Sequence, residues 1–124
     1  MGFFMRLTFW FFLHIFLIVS VKVIKPNTLY KWAERRFGKS KCVGIKYCNN
    51  KKRQYAEYSF TDKMIRINLR FVKNNTQLYR VMAHEWTHAQ QSMSWYFRYH
   101  DIYGYSFNPY EIRARENERK LWRN

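Results

Sequence analysis

The sequence predicts a small α+β domain in which antiparallel strands pack on two helices, with one apolar helix in front of the domain. Three observations lead to this fold class. Residues 64–72 alternate between apolar and polar side chains, as a half-buried strand does. Two segments with helical patterns follow, and an apolar run precedes everything else. The 124 residues allow one core, and an aromatic content of 21% makes a packed core feasible.

The apolar run at residues 7–21 contains no Asp, Glu, Lys or Arg, so it is not an amphipathic surface helix. Extended to residues 2–24, it is long enough to cross a bilayer. More Lys and Arg follow it than precede it, which predicts a cytoplasmic domain by the positive-inside rule. We therefore expect a single-pass membrane anchor at residues 1–25 and a domain at residues 26–124. A cleaved signal peptide, which would make the protein secreted, is the first alternative, and a buried helix is the second.

The first predicted element of the domain is a short helix at residues 27–40, capped by Asn27 or Thr28 and ended by Gly38. Strands are predicted across residues 41–72, and the clearest is the alternating segment at residues 64–72. Cys42 and Cys48 are too few for a disulfide framework, and we expect free thiols.

The second half of the domain is predicted to be helical, with one interruption. Residues 74–93 predict a helix capped by Asn75 or Thr76. Residues 94–107 predict an aromatic loop. Asn108 and Pro109 then open a last helix, because proline suits a first helical turn.

Positive charge dominates the composition. Lys and Arg number 23 against 8 Asp and Glu, which gives a net charge of +15. Such a charge favours an acidic partner. Nine of these cations fall between Lys31 and Arg53, and beside a membrane anchor they predict contact with anionic lipid. Nucleic-acid binding is the weaker alternative, because the chain contains no recognisable nucleic-acid-binding module.

The stretch VMAHEWTHAQQ, residues 81–91, carries the chemistry that the sequence predicts. His84 and His88 lie four residues apart on the predicted helix, so their imidazoles project side by side and can share one zinc ion. They border the apolar stripe of the helix and are expected to face inward. Glu85 lies about 100° around the helix from His84, where it can face the same cavity and take a proton from a zinc-bound water.

A zinc site needs a third protein ligand. The longer histidine motif of the metzincins is excluded, because Gln91 and Ser94 replace the glycine and the third histidine that it requires. The remaining downstream donors are His100, Asp101, Glu111, Glu116 and Glu118. Glu111 is favoured because it opens a helix after a loop and because Ala114 would let that helix pack closely against the histidine helix.

The run H-E-W-T-H followed by E-x-x-A-R resembles the gluzincin class of zinc metallopeptidases, in its minimal single-domain form, over about residues 55–124. HEWTHAQQ is also similar to runs in some toxin-associated and phage-encoded peptidase-like domains. The resemblance implies a zincin-like fold, zinc ligands at His84, His88 and Glu111, and Glu85 as general base and acid. It also implies that the strand at residues 64–72 is an edge strand, which holds an extended peptide by strand addition.

The resemblance departs from its pattern at Arg115, where related helices often carry Asp or Asn as a hydrogen-bond partner for a histidine. Glu116 or Asn117 would have to replace it. Glu118 is expected on a solvated helix face together with Glu116. A surface role is expected for His100 and Asp101 in the loop, and one tyrosine in the last part of the chain is a candidate for oxyanion stabilisation: Tyr103, Tyr105 or Tyr110.

The function that the sequence predicts is zinc-dependent hydrolysis of peptide bonds in a peptide or protein substrate, with Glu85 activating the water. Two alternatives stay open. The first is a catalytically inactive, zinc-stabilised module that binds a membrane or an assembly. The second is a basic nucleic-acid-binding protein without a metal.

Overall fold

A computed structural model describes residues 23–121 of the chain. Within this range the fold is a small α+β domain, which confirms the predicted class. Its four described helices are α1 (Pro26–Phe37), α2 (Asn75–Ala89), α3 (Met93–Tyr103) and α4 (Pro109–Lys120). Its three described strands are β1 (Gly44–Cys48), β2 (Ala56–Tyr58) and β3 (Met64–Asn68).

The sheet is mixed, with the strand order β1-β3-β2. β3 runs parallel to β1 and antiparallel to β2. The prediction of antiparallel strands is therefore correct for β2 and β3 and wrong for β1 and β3. The reason is the chain path. β2 follows β1 in the sequence but lies two positions away in the sheet and runs in the opposite direction. β3 then fills the position between them, so it is parallel to β1 and antiparallel to β2.

β3 is the central strand, so the prediction that residues 64–72 form the edge strand is wrong. Ile65 and Ile67 have no exposed surface, as expected for the apolar side of a central strand. The strand ends at Asn68, four residues earlier than predicted. The Asn68 side chain is buried and bonds to the loop before β2, and a helix-like turn follows, with the N–H groups of Phe71 and Val72 bonded to the Asn68 carbonyl.

The core lies between the sheet and the helices α1 and α2. Trp86 of α2 is fully buried, and its Nε1–H donates to the carbonyl oxygen of Gly38 at 2.9 Å. Tyr30 of α1 packs edge-on against the Trp86 ring at a centroid distance of 5.2 Å. The largest fully buried side chains around them are Leu29, Ile65, Ile67, Leu78, Met82 and Val72. This packing fixes one side of α2, and His84, Glu85 and His88 lie on the neighbouring side.

The helix boundaries follow local capping chemistry. α1 begins at Pro26 rather than at the predicted caps, because proline fits a first helical turn, and it ends as predicted at Gly38, whose φ of 90° suits glycine. α2 is capped by Asn74, not by the predicted Asn75 or Thr76; its side chain accepts from the N–H of Gln77 at 2.9 Å. α4 begins as predicted, with the Asn108 side chain accepting from the N–H of Tyr110.

α3 occupies most of the segment that was predicted to be an aromatic loop, residues 94–107. The Ser92 side chain caps it by accepting from the N–H of Trp95. None of its residues is buried. The apolar periodicity that marks a helix arises from burying one face. In α3 only Tyr96 and Tyr99 are half-buried, so the sequence lacks that signal.

The predicted single-pass membrane localisation is corrected by the structure. No helix within residues 23–121 is long and apolar enough to cross a membrane. Val23 and Ile24, the last residues of the predicted span, pack against the core of the domain, and the Ile24 N–H donates to Oδ1 of Asn75 at 2.9 Å. Residues 2–22 of that predicted span lie outside the described residues. Cys42 and Cys48 are free thiols, as predicted.

Candidate metal centre

α2 brings His84, Glu85 and His88 together on one turn. One candidate ligand atom from each of the three side chains lies within 4.8 Å of the others, so the group could hold a metal ion. The side chains of His84 and His88 are 16% and 7% exposed. The predicted inward orientation of both histidines is therefore confirmed.

Glu111, in the first turn of α4, faces both histidines. Its Oε2 lies 3.1 Å from Nε2 of His84, and its Oε1 lies 3.1 Å from Nε2 of His88. α4 approaches α2 closely at Ala114, which has no exposed surface. Two imidazole nitrogens and one carboxylate therefore meet at a single buried point.

The other nitrogen of each ring is also bonded. Nδ1 of His84 lies 3.3 Å from Oε1 of Glu118, and Nδ1 of His88 lies 2.8 Å from Oε1 of Gln91. Carboxylate and amide oxygens are acceptors, so both Nδ1 atoms carry protons. This arrangement fixes each ring and leaves its Nε2 for the centre, which is how proteins orient metal-binding histidines.

The electrostatics favour a cation at this point. Burial opposes the charged form of His84, but hydrogen bonds to Glu111 and Glu118 outweigh burial and raise its pKa to about 10. Burial likewise opposes ionisation of Glu111, yet bonds from His84, His88 and Tyr96 hold the pKa of Glu111 well below its usual range. The donor set therefore fits a cation at the histidine nitrogens, whether a proton or a metal ion.

Tyr96 holds the Glu111 carboxylate, a role that the sequence did not reveal. Its hydroxyl donates to Oε1 of Glu111 at 2.6 Å, and its ring meets the His88 ring edge-on at 5.3 Å. Asn108 fixes the position of Tyr96, because its side-chain amide donates to the Tyr96 carbonyl oxygen. No sequence motif marks Tyr96. Its contact with Glu111 depends on the α3 helix, which the sequence did not predict.

Glu85 lies beside the two histidines and borders a cleft. It is 8% exposed, and the backbone N–H of Tyr58 in β2 lies on its side of the cleft, where it favours the ionised carboxylate. Burial raises the pKa of Glu85, and the nearby histidines only partly offset this. A carboxylate with a raised pKa is suited to accept a proton near neutral pH.

The cleft has a volume of about 580 Å³ and runs along β2 and α2. The backbone of Tyr55 and Ser59 bonds to β3. Because backbone groups alternate in direction along an antiparallel strand, Ala56 and Tyr58 direct theirs away from β3. β2 is thus the edge strand at the cleft. The lining residues are Arg53, Gln54, Tyr55, Ala56, Gln77, Arg80, Val81, His84, Glu85, Tyr105 and Glu118.

The other candidate metal ligands differ in whether they reach the histidines. His100, Asp101 and Glu116 are exposed, and no described contact joins them to the histidines. Glu118 was predicted to lie on a solvated face and instead bonds to His84. It supplies the histidine partner that was expected from Glu116 or Asn117.

Two further predictions concern side chains around the centre. Asn117 donates its amide to the Thr87 hydroxyl at 2.9 Å rather than to a histidine. Among the three tyrosine candidates for oxyanion stabilisation, Tyr105 lines the cleft. Tyr103 is exposed on α3, and the Tyr110 ring packs against Tyr99.

Comparisons of the chain with models of known protein families, with curated proteins and with solved structures gave no match.

Proposed function

We propose that this protein is a zinc-dependent metallopeptidase of the gluzincin type with a minimal zincin-like fold. One observation carries the proposal: Nε2 of His84 and Nε2 of His88 both lie 3.1 Å from the carboxylate of Glu111, at the end of a cleft that Glu85 borders. Two imidazoles and one carboxylate are the ligand set of many catalytic zinc sites, which keep the fourth position open.

Glu111 rather than Glu85 is the third ligand in this proposal. The Glu111 carboxylate touches both Nε2 atoms and is held by the Tyr96 hydroxyl. The Glu85 carboxylate borders the cleft, where the N–H of Tyr58 in β2 favours its ionised form. The two carboxylates therefore have different partners and different pKa directions, as expected when one binds metal and the other moves a proton.

Zinc in this position would supply Lewis acidity, which lets a water molecule lose a proton near neutral pH. Glu85 accepts that proton and later returns it to the leaving amine of the cleaved peptide. The edge of β2 holds the substrate as an added strand through the backbone of Ala56. Tyr105, which lines the cleft, donates to the oxyanion in this proposal.

The test is peptide cleavage by the full chain and by Glu85→Gln, each with its zinc content measured. We expect Glu85→Gln to keep zinc and to lose about 10²- to 10⁴-fold in kcat, which is the usual contribution of a general base. Glu57→Gln is the matched control, because Glu57 lies on β2 and is exposed. Zinc-loaded wild type that cleaves no peptide, or equal rates in wild type and Glu85→Gln, would refute the proposal.

A further inference from the structure

The cleft is lined by two arginines from separate parts of the chain. Arg53 reaches it from the loop before β2, and Arg80 reaches it from α2. Gln54 and Gln77 line the same cleft. We infer that Arg53 and Arg80 form an anion subsite that selects substrates with an Asp or Glu a few residues from the scissile bond. The inference rests on the proposed peptidase function and names its substrate class.

The loop that carries Arg53 is held in place by a buried side chain. Asn68 is 3% exposed, and its side-chain amide nitrogen lies 3.1 to 3.4 Å from the carbonyl oxygens of Asn50, Lys52 and Gln54. Its Oδ1 accepts from the N–H of Asn50 at 3.3 Å. A buried amide with this many partners fixes the loop backbone on both sides of Arg53. The backbone that carries Arg53 is therefore fixed, and the Arg53 side chain itself is exposed.

Arg80 lies one helical turn before the metal-site residue His84, on the same face of α2. Its guanidinium is 3.3 Å from Oε2 of Glu118, and its side chain remains 49% exposed. Gln77 lies almost one further turn along this face. Its Oε1 accepts from the N–H of Lys73, which leaves the Gln77 amide protons available to a ligand.

The described contacts neutralise only one of these two arginines. Glu118 offsets Arg80, but the described part of the chain supplies no acidic partner to Arg53. Lys51 and Lys52 precede Arg53 and are exposed. A carboxylate that enters the cleft therefore meets an uncompensated guanidinium, and guanidinium binds carboxylate in a two-pronged geometry.

The spacing places the subsite within a short peptide of the metal centre. Arg80 is four helical residues from His84, about 6 Å along the axis. Arg53 is five residues from Tyr58, at most about 16 Å along β2 and its preceding loop. An extended peptide rises about 3.3 Å per residue, so the selected acidic side chain lies about two to five residues from the scissile bond.

The test is binding of two matched peptide libraries to full-length, zinc-loaded Glu85→Gln protein, which needs no turnover. The libraries differ only in carrying Glu or Gln at each position in turn. We expect one position, about two to five residues from the scissile bond, to favour Glu by about fivefold, the upper range for an exposed ion pair. Arg53→Gln and Arg80→Gln should each reduce this ratio towards one, and added salt should reduce it as well. Lys51→Gln is the matched control, because Lys51 is in the same loop and does not line the cleft.

A Glu-to-Gln ratio that Arg53→Gln and Arg80→Gln leave unchanged would overturn the inference. Equal binding of both libraries would also overturn it. If a single-stranded oligonucleotide then bound in an Arg53-dependent way, the two arginines would be assigned to nucleic-acid binding instead. Cleavage by the wild type is scored separately. If the protein prefers Glu in an Arg53-dependent way but the wild type cleaves no peptide, the proposed peptidase activity is refuted and the anion subsite is supported.

Discussion

Glu118 lies with its Oε1 3.3 Å from Nδ1 of His84, on the opposite edge of the ring from the Glu111 contact at Nε2. The His84 imidazole is therefore held between two carboxylates from one helix, α4. A histidine whose Nδ1–H donates to a carboxylate has a fixed orientation and a more basic Nε2. Glu118 thus supports the proposed metal ligand without reaching the metal position itself.

Replacing Glu118 should weaken zinc binding. Loss of a carboxylate behind a metal-binding histidine typically costs 10- to 100-fold in affinity, and we expect about tenfold for Glu118→Ala. Competition with a chromogenic zinc chelator measures this directly. Glu116→Ala is the control, because Glu116 is exposed on the same helix. Equal zinc affinity in the two variants would argue against the role of Glu118.

Tyr96→Phe should also weaken zinc binding, because it removes the hydroxyl that donates to Glu111 at 2.6 Å and keeps the ring that packs on His88. A hydrogen bond to a charged group is worth about 1.5–3 kcal/mol, so we expect about tenfold lower affinity or more. The same competition with a zinc chelator measures the affinity of the variant. Tyr99→Phe, one turn further along α3, is the control and should bind zinc as wild type does.

The α+β class and the residues of the centre could be predicted from the sequence. His84, Glu85 and His88 are local: their spacing alone places them on one helical turn. Glu111 was found because it opens a helix, which proline and asparagine mark in the sequence. Glu118 follows Ala114 by four residues and so lies on the face expected to pack against α2. It was assigned to solvent because charged side chains at helix spacing usually pair with one another on an exposed face.

The remaining predictions differ from the structure for separate physical reasons. The order of the strands depends on the chain path, so the alternating pattern of residues 64–72 does not distinguish a central strand from an edge strand. Only Tyr96 and Tyr99 of α3 are half-buried and none of its residues is buried, so α3 lacks the periodic signal of a helix. Hydropathy, length and flanking charge predict a membrane span that ends at Ile24, whereas Val23 and Ile24 pack against the domain.

Asn68→Asp should destabilise the domain. The change replaces a buried amide that donates to backbone carbonyls with a carboxylate that would face those carbonyl oxygens. A buried polar group left without its partner costs about 1–3 kcal/mol, and a charged one costs more, so we expect a loss of at least about 2 kcal/mol in the free energy of unfolding. Urea denaturation measures it. Asn49→Asp, on the exposed part of the same loop, should change the stability by less than about 0.5 kcal/mol.

Removing zinc should lower the melting temperature. Zinc at about 100 times its Kd would add about 2.7 kcal/mol to the folded state, which corresponds to roughly 10 °C for a domain of this size. Scanning calorimetry with and without a chelator measures the shift. His88→Ala should show no shift on chelation. A wild-type melting temperature that the chelator leaves unchanged would indicate that the folded protein does not bind zinc.

The most direct test of the central claim is the metal content of the full chain after exposure to zinc and removal of the excess. We predict close to one zinc per wild-type chain, loss of zinc in His88→Ala and Glu111→Ala, and retention in Glu85→Gln and Glu116→Ala. Absence of zinc from the wild type, or an equal zinc content in Glu111→Ala, would contradict the metal centre proposed here.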